Sequence, residues 1–309
     1  DSQKEVRTLP VPLVDGSTTD LGDLLQASDT IAFLVLKNDR LVIERYGSGH
    51  SRSALSQSFS MAKSFSSLLV GQAIADGYFQ SLDQPVTDFV PELTERGFSA
   101  VTLRHLLTMT SGSDYVENDN PFGEHVILNY TPNLQGEILK FRLEDAPGTV
   151  WRYKSGDNAL LGLALSRALA PKTITEYTQE RLWTPLGMEY GGVWSLDDDG
   201  GLEKTWCCLA AAARDYLKLG RLVLNEGNWD GRQVVPADWI RQSTRAGAIP
   251  AGAWDADYRR IGIWNYGLQW WLVSQQDGSA LANGKDGQFL YVDPAQNVVI
   301  LRLGWGMGE

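Results

Sequence analysis

Ser60-Met61-Ala62-Lys63 begins the first long helical stretch of this 309-residue chain. A Ser and a Lys three residues apart share one face of a helix, so a neutral lysine amine there is within reach of the serine proton. At a helix N-terminus, Ser60 also has backbone N–H groups near any developing negative charge. This geometry suits acyl transfer, although a solvated Ser and Lys on one helix face is the ordinary alternative. The apolar residues that follow recur at helical spacing as far as Gly77 and predict the helix: Met61, Phe65, Leu68, Leu69 and Ile74.

The segments on either side of this helix differ in their secondary-structure signals. Residues 30–46 predict a β-hairpin, because two β-rich runs flank a polar turn. Helical patterns separated by Pro and Gly loops follow at 102–109, 134–141, 158–169 and 174–182. Further helices are predicted at 207–225 and 237–244, and strands at 266–274, 279–283, 289–292 and 298–303.

Strands at both chain ends with helices between them predict an α/β (α+β) fold. Its antiparallel sheet, flanked by helices, is built from both chain ends. We expect this sheet domain over residues 1–80 and 200–309, and an inserted, mainly helical domain over 81–199. We find no internal repeat and no low-complexity segment.

Composition narrows the class of protein. With 43% hydrophobic and 21% charged residues, the chain can bury a large core, which excludes a disordered protein. A formal net charge of -11 disfavours a nucleic-acid partner. No apolar run approaches the roughly 20 residues that cross a bilayer. The chain begins with Asp1 rather than Met, so we expect an upstream segment to have been removed; a periplasmic or secreted location and a cytoplasmic one stay open, as does the oligomeric state.

Several common chemistries find no support. No Gly-x-Ser-x-Gly occurs, which disfavours an ordinary α/β-hydrolase. The three histidines, His50, His105 and His125, lack metal-ligand spacing and are interpreted as structural. No phosphate-binding loop or dinucleotide fingerprint appears, so we expect neither a metal nor a cofactor. The adjacent Cys207 and Cys208 are interpreted as two free thiols, since a disulfide between neighbours closes a strained ring.

Further motifs follow the Ser-Lys tetrad in order along the chain. They are Thr102-Leu103-Arg104-His105-Leu106-Leu107-Thr108-Met109-Thr110-Ser111-Gly112 and Pro147-Gly148-Thr149-Val150-Trp151-Arg152-Tyr153-Lys154-Ser155, the latter followed by Leu160-Leu161-Gly162. Together they resemble the serine β-lactamase and penicillin-binding-protein-like superfamily, in its class C-like branch. Ala213-Arg214-Asp215, Gly220-Arg221-Leu222 and the stretch 287–294 look most like its 6-aminohexanoate-dimer hydrolase and carboxylesterase sub-branch. The resemblance runs from Ile31 to Leu303 and implies the same two-part fold.

The resemblance also implies catalytic roles. Ser60 would be the acylated nucleophile, Lys63 its first general base, and Tyr153 the relay of a proton to the leaving group. The backbone N–H groups of Ser60 and Lys285 would form the oxyanion hole. Lysine can serve as a base near neutral pH where burial or neighbouring positive charge lowers its pKa, and tyrosine where neighbouring positive charge lowers its pKa.

At the positions that would contact substrate, the chain departs from the family's motifs in part. Ser155 stands where penicillinases of this branch carry Asn, and can hydrogen-bond Lys63 or a substrate carbonyl. Ala282-Asn283-Gly284 stands where the family has its third motif, Lys-Thr-Gly. Asn283 and Gly284 keep their place beside substrate, while the lysine that helps to hold a β-lactam carboxylate is missing. Tyr115 lies in the loop that caps the cleft in this branch, where it either contacts substrate or is a plain surface tyrosine. The aromatic residues Trp264, Tyr266, Trp270 and Trp271 are interpreted as sheet packing.

The sequence therefore predicts a serine hydrolase that acts through an acyl-enzyme on small carboxylic esters or amides. The alternatives are β-lactamase or DD-peptidase-like activity, and a non-catalytic protein that keeps the fold to bind a ligand. The intact set Ser60, Lys63 and Tyr153 argues against the latter, because binding does not need all three.

Overall fold

The computed structural model describes residues 8–306, apart from 14, 48, 119, 246–248, 250–262 and 275–276. The strands in this part of the chain are β1 (Pro10–Pro12), β2 (Thr18–Asp20), β3 (Thr30–Lys37), β4 (Arg40–Tyr46), β5 (Leu55–Gln57), β6 (Val193–Trp194), β7 (Leu209–Ala212), β8 (Asn228–Trp229), β9 (Arg232–Gln233), β10 (Asn265–Tyr266), β11 (Trp271–Leu272), β12 (Ala280–Gly284), β13 (Gln288–Asp293) and β14 (Val298–Gly304). The α-helices are α1 (Leu21–Ala27), α2 (Met61–Ala75), α3 (Leu103–Leu107), α4 (Glu124–Tyr130), α5 (Leu134–Ile138), α6 (Ser155–Leu169), α7 (Ile174–Thr178), α8 (Ala213–Leu224) and α9 (Ala237–Ser243). Short 3₁₀ turns cover Val86–Asp88, Pro91–Arg96, Phe98–Ala100 and Lys285–Gly287, and one π-helical turn covers Gln179–Trp183.

The main sheet confirms the prediction that both chain ends build it. Within the described residues its order is β10-β11-β12-β13-β14-β3-β4, and each neighbouring pair is antiparallel. Strand β14 pairs with β3 in a register that sets Leu301 opposite Leu34. Both side chains are fully buried, so the junction of the two chain ends lies in the core. The mixed fold with an antiparallel sheet is the one predicted.

The predicted hairpin is present as β3 and β4. Asn38 and Asp39 form its turn with positive φ angles of 49° and 60°, the left-handed backbone that two-residue hairpin turns require. In β3 the core-facing residues Ala32, Leu34 and Leu36 alternate with less buried ones, as the two-residue period of a strand dictates.

Helix α2 lies in the centre of the molecule. Almost every one of its residues is buried, and it packs against β12 on one side and α6 on another. Gly71 faces the Trp239 ring so closely that a Cβ there would lie 2.4 Å from Cγ of that indole, so only glycine fits. The helix ends before Gly77, whose φ of 82° suits glycine.

Two predicted elements are wrong in their boundaries. Residues 207–225 do not form one helix, because Leu209–Ala212 pairs with Leu55–Gln57 and Val193–Trp194 as a strand before α8 begins. Such a short run of small apolar residues is compatible with either structure, and the tertiary pairing decides. Residues 266–274 are two short strands rather than one, since Gln269 has a φ of 65° and its N–H donates to Leu107 O.

The helical part also differs in detail. Helix α6 begins at Ser155, three residues before the predicted start, and α4 was not predicted. Helices α3 to α7 all fall within residues 81–199, and the division into two domains stays a prediction. Of the helices in the described ranges, none combines the length and the apolar character that crossing a membrane requires.

Candidate active site

Ser60 stands at the N-terminus of α2, where the end of β12 reaches it. It is the residue immediately before the helix, and Phe59 ahead of it has a φ of 43°. A Cβ on Gly284 would lie 2.3 Å from Ser58 O and 3.3 Å from Met61 N. Glycine at 284 therefore lets the strand approach the backbone on both sides of Ser60.

Lys63 is enclosed one turn into the same helix. Its side chain is 1% exposed, and Nζ lies 3.0 Å from Ser60 Oγ. Nζ also donates to Ser155 Oγ and to Trp206 O, both at 3.0 Å. Burial lowers the pKa of Lys63 to about 8, and the nearby Glu117 carboxylate partly opposes that shift. With that pKa, about a tenth of the molecules hold the neutral amine at pH 7, and about half hold it at pH 8.

Tyr153 forms the adjoining wall. Lys63 Nζ lies 4.9 Å from the centroid of its ring. The same ring stacks on Trp271, with centroids 5.2 Å apart and an interplanar angle of 25°. The structure thus brings together Ser60, Lys63 and Tyr153, the three residues singled out from the sequence.

A cavity of about 770 Å³ opens over Ser60. Of the residues predicted to act there, Ser60, Tyr153, Asn283, Gly284 and Lys285 line it. The rest of the lining is partly aromatic and partly polar: Phe59, Glu117, Asn118, His125, Val126, Asn129, Tyr130, Ser195, Lys204, Trp206, Cys207, Cys208 and Trp271. Within the described ranges, no group of three or more His, Cys, Asp or Glu side chains is placed to hold a metal ion.

Two residues predicted to contact substrate lie behind the cavity wall. Tyr115 is 2% exposed and packs on Gly156, with its hydroxyl 3.0 Å from His125 Nδ1. Ser155 is fully buried at the start of α6, and its hydroxyl lies between Lys63 and Glu117. Neither lines the cavity, because Glu117 covers Ser155 and the Tyr115 ring packs inward against Gly156 and Phe141. For Ser155, the alternative of a contact with Lys63 is the one observed.

Glu117 and His125 were not predicted as part of the site. Glu117 accepts hydrogen bonds from the Ser155 backbone N–H at 2.6 Å and from its hydroxyl at 2.8 Å. His125 Nδ1 lies 3.2 Å from Glu117 Oε1. Neither residue belongs to a sequence motif: Glu117 is a single carboxylate in a polar loop, and His125 has no metal-ligand spacing. The one signal in the sequence was their position, two and ten residues after Tyr115.

The prediction of two free thiols is wrong. The sulfurs of Cys207 and Cys208 are joined in a disulfide at the cavity wall. Cys208 has a φ of 68°, a strained backbone for a residue other than glycine, and the Ser195 N–H donates to its carbonyl at 3.0 Å. The prediction of free thiols rested on the strain of a disulfide between neighbouring residues. The hydrogen bond to Ser195 holds the strained backbone in place.

The chain has relatives of this architecture. A 6-aminohexanoate-dimer hydrolase of Paenarthrobacter ureafaciens is 26% identical over 95% of this chain and 78% of its own length. Among solved structures, a proposed 6-aminohexanoate-dimer hydrolase from Bacillus anthracis is 26% identical and superposes with a TM-score of 0.85 over 98% of this chain and 80% of that one. EstCE1, a hydrolase with promiscuous acyltransferase activity, shares the fold at 16% identity, with a TM-score of 0.73 over 93% of this chain and 91% of its own.

The Beta-lactamase family model matches residues 23–306, which is most of the chain. That match agrees with the buried Ser-Lys pair at the start of α2 and with the sheet built from both chain ends. The chain belongs to the Beta-lactamase family and is a serine hydrolase.

Proposed function

We propose that this enzyme hydrolyses small carboxylic esters or amides through an acyl-enzyme on Ser60. The observation that carries the proposal is the buried Lys63 amine, 3.0 Å from Ser60 Oγ and with a pKa of about 8. A serine hydroxyl is a poor nucleophile until a nearby base removes its proton, and a neutral amine at this distance is such a base.

The first step is acylation. Neutral Lys63 takes the Ser60 proton while Oγ attacks the substrate carbonyl carbon, and the carbonyl π-electrons move to the oxygen. The backbone N–H groups of Ser60 and Lys285 stabilise that oxyanion in the proposed mechanism. The close approach of Gly284 to the start of α2 supports this pairing, because it sets the end of β12 beside Ser60.

Departure of the leaving group and deacylation need a proton donor and then a base. Tyr153 serves here as the relay: the proton held by Lys63 passes through the phenol to the alcohol or amine as its bond to carbon breaks. Water then attacks the acyl-enzyme, giving up one proton along the same path in reverse, and free acid and Ser60 are restored. Lys63 Nζ lies 4.9 Å from the Tyr153 ring centroid, so the two groups that share this path are neighbours, and the link through the hydroxyl is part of the proposal.

The cavity favours a small substrate whose reacting group is uncharged. Its volume of about 770 Å³ lies in the range of small-molecule sites, and Trp206, Trp271 and Phe59 supply apolar surface for an acyl chain. Ala282 supplies no cation at the third motif, and Lys154 is turned away, donating to Ser113 O. The names of two relatives indicate hydrolysis of a linear amide, which extends the proposal from esters to amides.

β-Lactamase or DD-peptidase-like activity is the second candidate. It is favoured because Ser60, Lys63 and Tyr153 match the catalytic motifs of the β-lactamase and penicillin-binding-protein-like superfamily. A non-catalytic ligand-binding role is disfavoured, because burying a lysine beside a serine costs free energy without helping recognition.

A burst experiment tests the proposal. Mixing excess p-nitrophenyl butyrate with the enzyme should release p-nitrophenol in a rapid phase of one equivalent per active site, followed by slower turnover. A fluorophosphonate probe should add to Ser60, as located by peptide mass spectrometry. An adduct on another residue, or a protein inert to both reagents, would overturn the assignment.

A further inference from the structure

Glu117 controls the direction of the Ser155 hydroxyl. Its carboxylate contacts both polar groups of Ser155, the backbone N–H at 2.6 Å and Oγ at 2.8 Å. An ionised carboxylate only accepts hydrogen bonds, so the Ser155 hydroxyl proton points to Glu117. Ser155 Oγ therefore presents an acceptor, and not a donor, to Lys63.

The three neighbours of Lys63 Nζ then dictate where its lone pair points. Trp206 O is a carbonyl and can only accept, and Ser155 Oγ is made an acceptor by Glu117. A neutral amine has two N–H bonds and one lone pair. With both N–H bonds used by these acceptors, the lone pair is left for the third neighbour, Ser60 Oγ at 3.0 Å.

We propose that Glu117 is a positioning residue for the Ser60 reaction: by taking the Ser155 proton, it aims the Lys63 lone pair at the nucleophile. Glu117 touches neither Ser60 nor Lys63 in this role and acts through Ser155. The inference rests on the proposed acyl-enzyme route and adds to it a residue outside the three motif positions.

A ring of hydrogen bonds holds Glu117 in place. His125 Nδ1 lies 3.2 Å from Glu117 Oε1, and Asn129 Nδ2 lies 3.2 Å from His125 Nε2. Asn129 Oδ1 accepts from Trp206 Nε1 at 2.9 Å, and the carbonyl of that same Trp206 is the second acceptor for Lys63. His125 thus links Glu117, through Nδ1, to Asn129, through Nε2, and its Nδ1 also lies 3.0 Å from the Tyr115 hydroxyl. The loop, α4 and the segment before β7 are thereby coupled to the orientation of one amine.

Glu117→Gln tests the role because the amide has a defined orientation in this setting. The Ser155 backbone N–H can only donate, so it takes the amide oxygen and leaves the amide NH₂ facing Ser155 Oγ. The amide then donates to Oγ, and the Ser155 proton is free to point at the Lys63 lone pair. We expect the limiting acylation rate, measured by stopped flow with p-nitrophenyl butyrate, to fall roughly 10- to 100-fold. The substrate concentration at half-maximal rate should stay within about twofold.

The pH profile gives a second readout. The titratable groups that face Glu117 are Lys63, Tyr115 and His125, and the carboxylate favours the protonated form of Lys63. Removing its charge lowers the Lys63 pKa further, so the acidic limb of the pH profile of kcat/KM should move to lower pH in Glu117→Gln. A carboxylate that only held the loop, with its charge screened from Lys63, would not move this limb.

Glu124→Gln is the matched control. Glu124 anchors the same loop by accepting from the Val116 N–H at 2.6 Å, but it has no contact with Ser155. We expect this variant to keep the wild-type acylation rate and acidic limb. Equal losses in the Glu117 and Glu124 variants would show that the carboxylate only holds the loop, and would overturn the proposal.

If Glu117→Gln folds poorly, as judged by circular dichroism and thermal unfolding, Ser155→Ala alone tests the role. It removes the same acceptor from Lys63 and should slow acylation by a similar factor, and wild-type acylation in this variant would overturn the proposal. Because Glu117 acts through Ser155, the double variant Glu117→Gln/Ser155→Ala should acylate no more slowly than the slower single variant. Independent losses that multiply, or an effect confined to the half-saturating concentration, would overturn the positioning role. Fluorophosphonate labelling of wild-type Ser60 is scored separately, so failure of the nucleophile assignment is distinguishable from failure of this inference.

Discussion

Lys63 Nζ lies 3.0 Å from Ser60 Oγ while its side chain is 1% exposed. The spacing follows from the helix, which sets residues three apart on one face. The burial follows from the packing of α2 between β12 and α6. Each property alone is ordinary; together they make a base whose lowered pKa suits proton removal from a serine.

Ser60→Ala should abolish acyl-enzyme formation without unfolding the protein, because only the nucleophilic oxygen is lost at the cavity surface. The expected result is no burst with p-nitrophenyl butyrate and no fluorophosphonate adduct. Ser67→Ala is the control: it lies on the same helix, and its buried Oγ has no hydrogen-bond partner among the described residues. Retained burst activity in Ser60→Ala would refute the nucleophile.

Hydrolysis of a neutral ester should rise with pH through about 8. The base form of Lys63 is the neutral amine, burial lowers its pKa to about 8, and activity is therefore lost as pH falls below that value. Initial rates in overlapping buffers from about pH 6 to 10 give kcat/KM at each pH and so define the acidic limb of the profile. A profile flat across this range would show that Lys63 is not the titrating base.

Lys63→Ala and Tyr153→Phe should each lower turnover on the order of 100-fold or more, the usual scale for a positioned acid-base group. The losses should be far from additive, since both groups are proposed to serve one proton path. Steady-state and burst kinetics of the two single variants and the double variant measure this. If the double loss equals the product of the single losses, the shared path is wrong.

The kcat/KM for a neutral short-chain ester should exceed that for nitrocefin roughly 10- to 100-fold. This ratio corresponds to one charge-assisted hydrogen bond, which the β-lactam carboxylate lacks in this site. Ala282 is fully buried, so a lysine placed there would enter the core beside α2 and is a poor probe. Lys285→Ala is the better one, because that side chain lines the cavity and its backbone N–H is retained. If the carboxylate has no cationic partner, Lys285→Ala should change nitrocefin and ester hydrolysis by similar factors. A selective loss of nitrocefin hydrolysis, or a wild-type preference for nitrocefin, would contradict this account of the third motif.

Cys207 and Cys208 should resist alkylation until a reductant is added, and then take up two carbamidomethyl groups by mass. Trp206, whose carbonyl accepts from Lys63, immediately precedes this disulfide, so opening it should lower the acylation rate. In Cys207→Ser/Cys208→Ser the rate should no longer respond to reductant. Rapid alkylation of the untreated enzyme would show that the thiols are free.

Local patterns predicted the elements whose geometry depends on neighbours in sequence. The hairpin of β3 and β4 needed only its turn residues and two β-rich runs, and α2 was evident from apolar spacing. Residues 209–212 show the limit. Their small apolar side chains fit a helix or a strand, and pairing with residues 55–57, far away in sequence, decided for a strand.

By itself, the sequence determined that Ser60 and Lys63 share a helix face, because helical periodicity acts over three residues. It also showed that Ala282-Asn283-Gly284 replaces the third motif, and it predicted a sheet built from both chain ends. Only the tertiary structure decided that Tyr115 lies behind the wall, that Cys207 and Cys208 are joined, and that Glu117, 38 residues before Ser155, orients its hydroxyl. Glu117 and Tyr115 reach residues remote in sequence through the packing of the whole core, which no local spacing encodes. The disulfide joins neighbours, but it forms on a Cys208 backbone with positive φ whose carbonyl is held by Ser195.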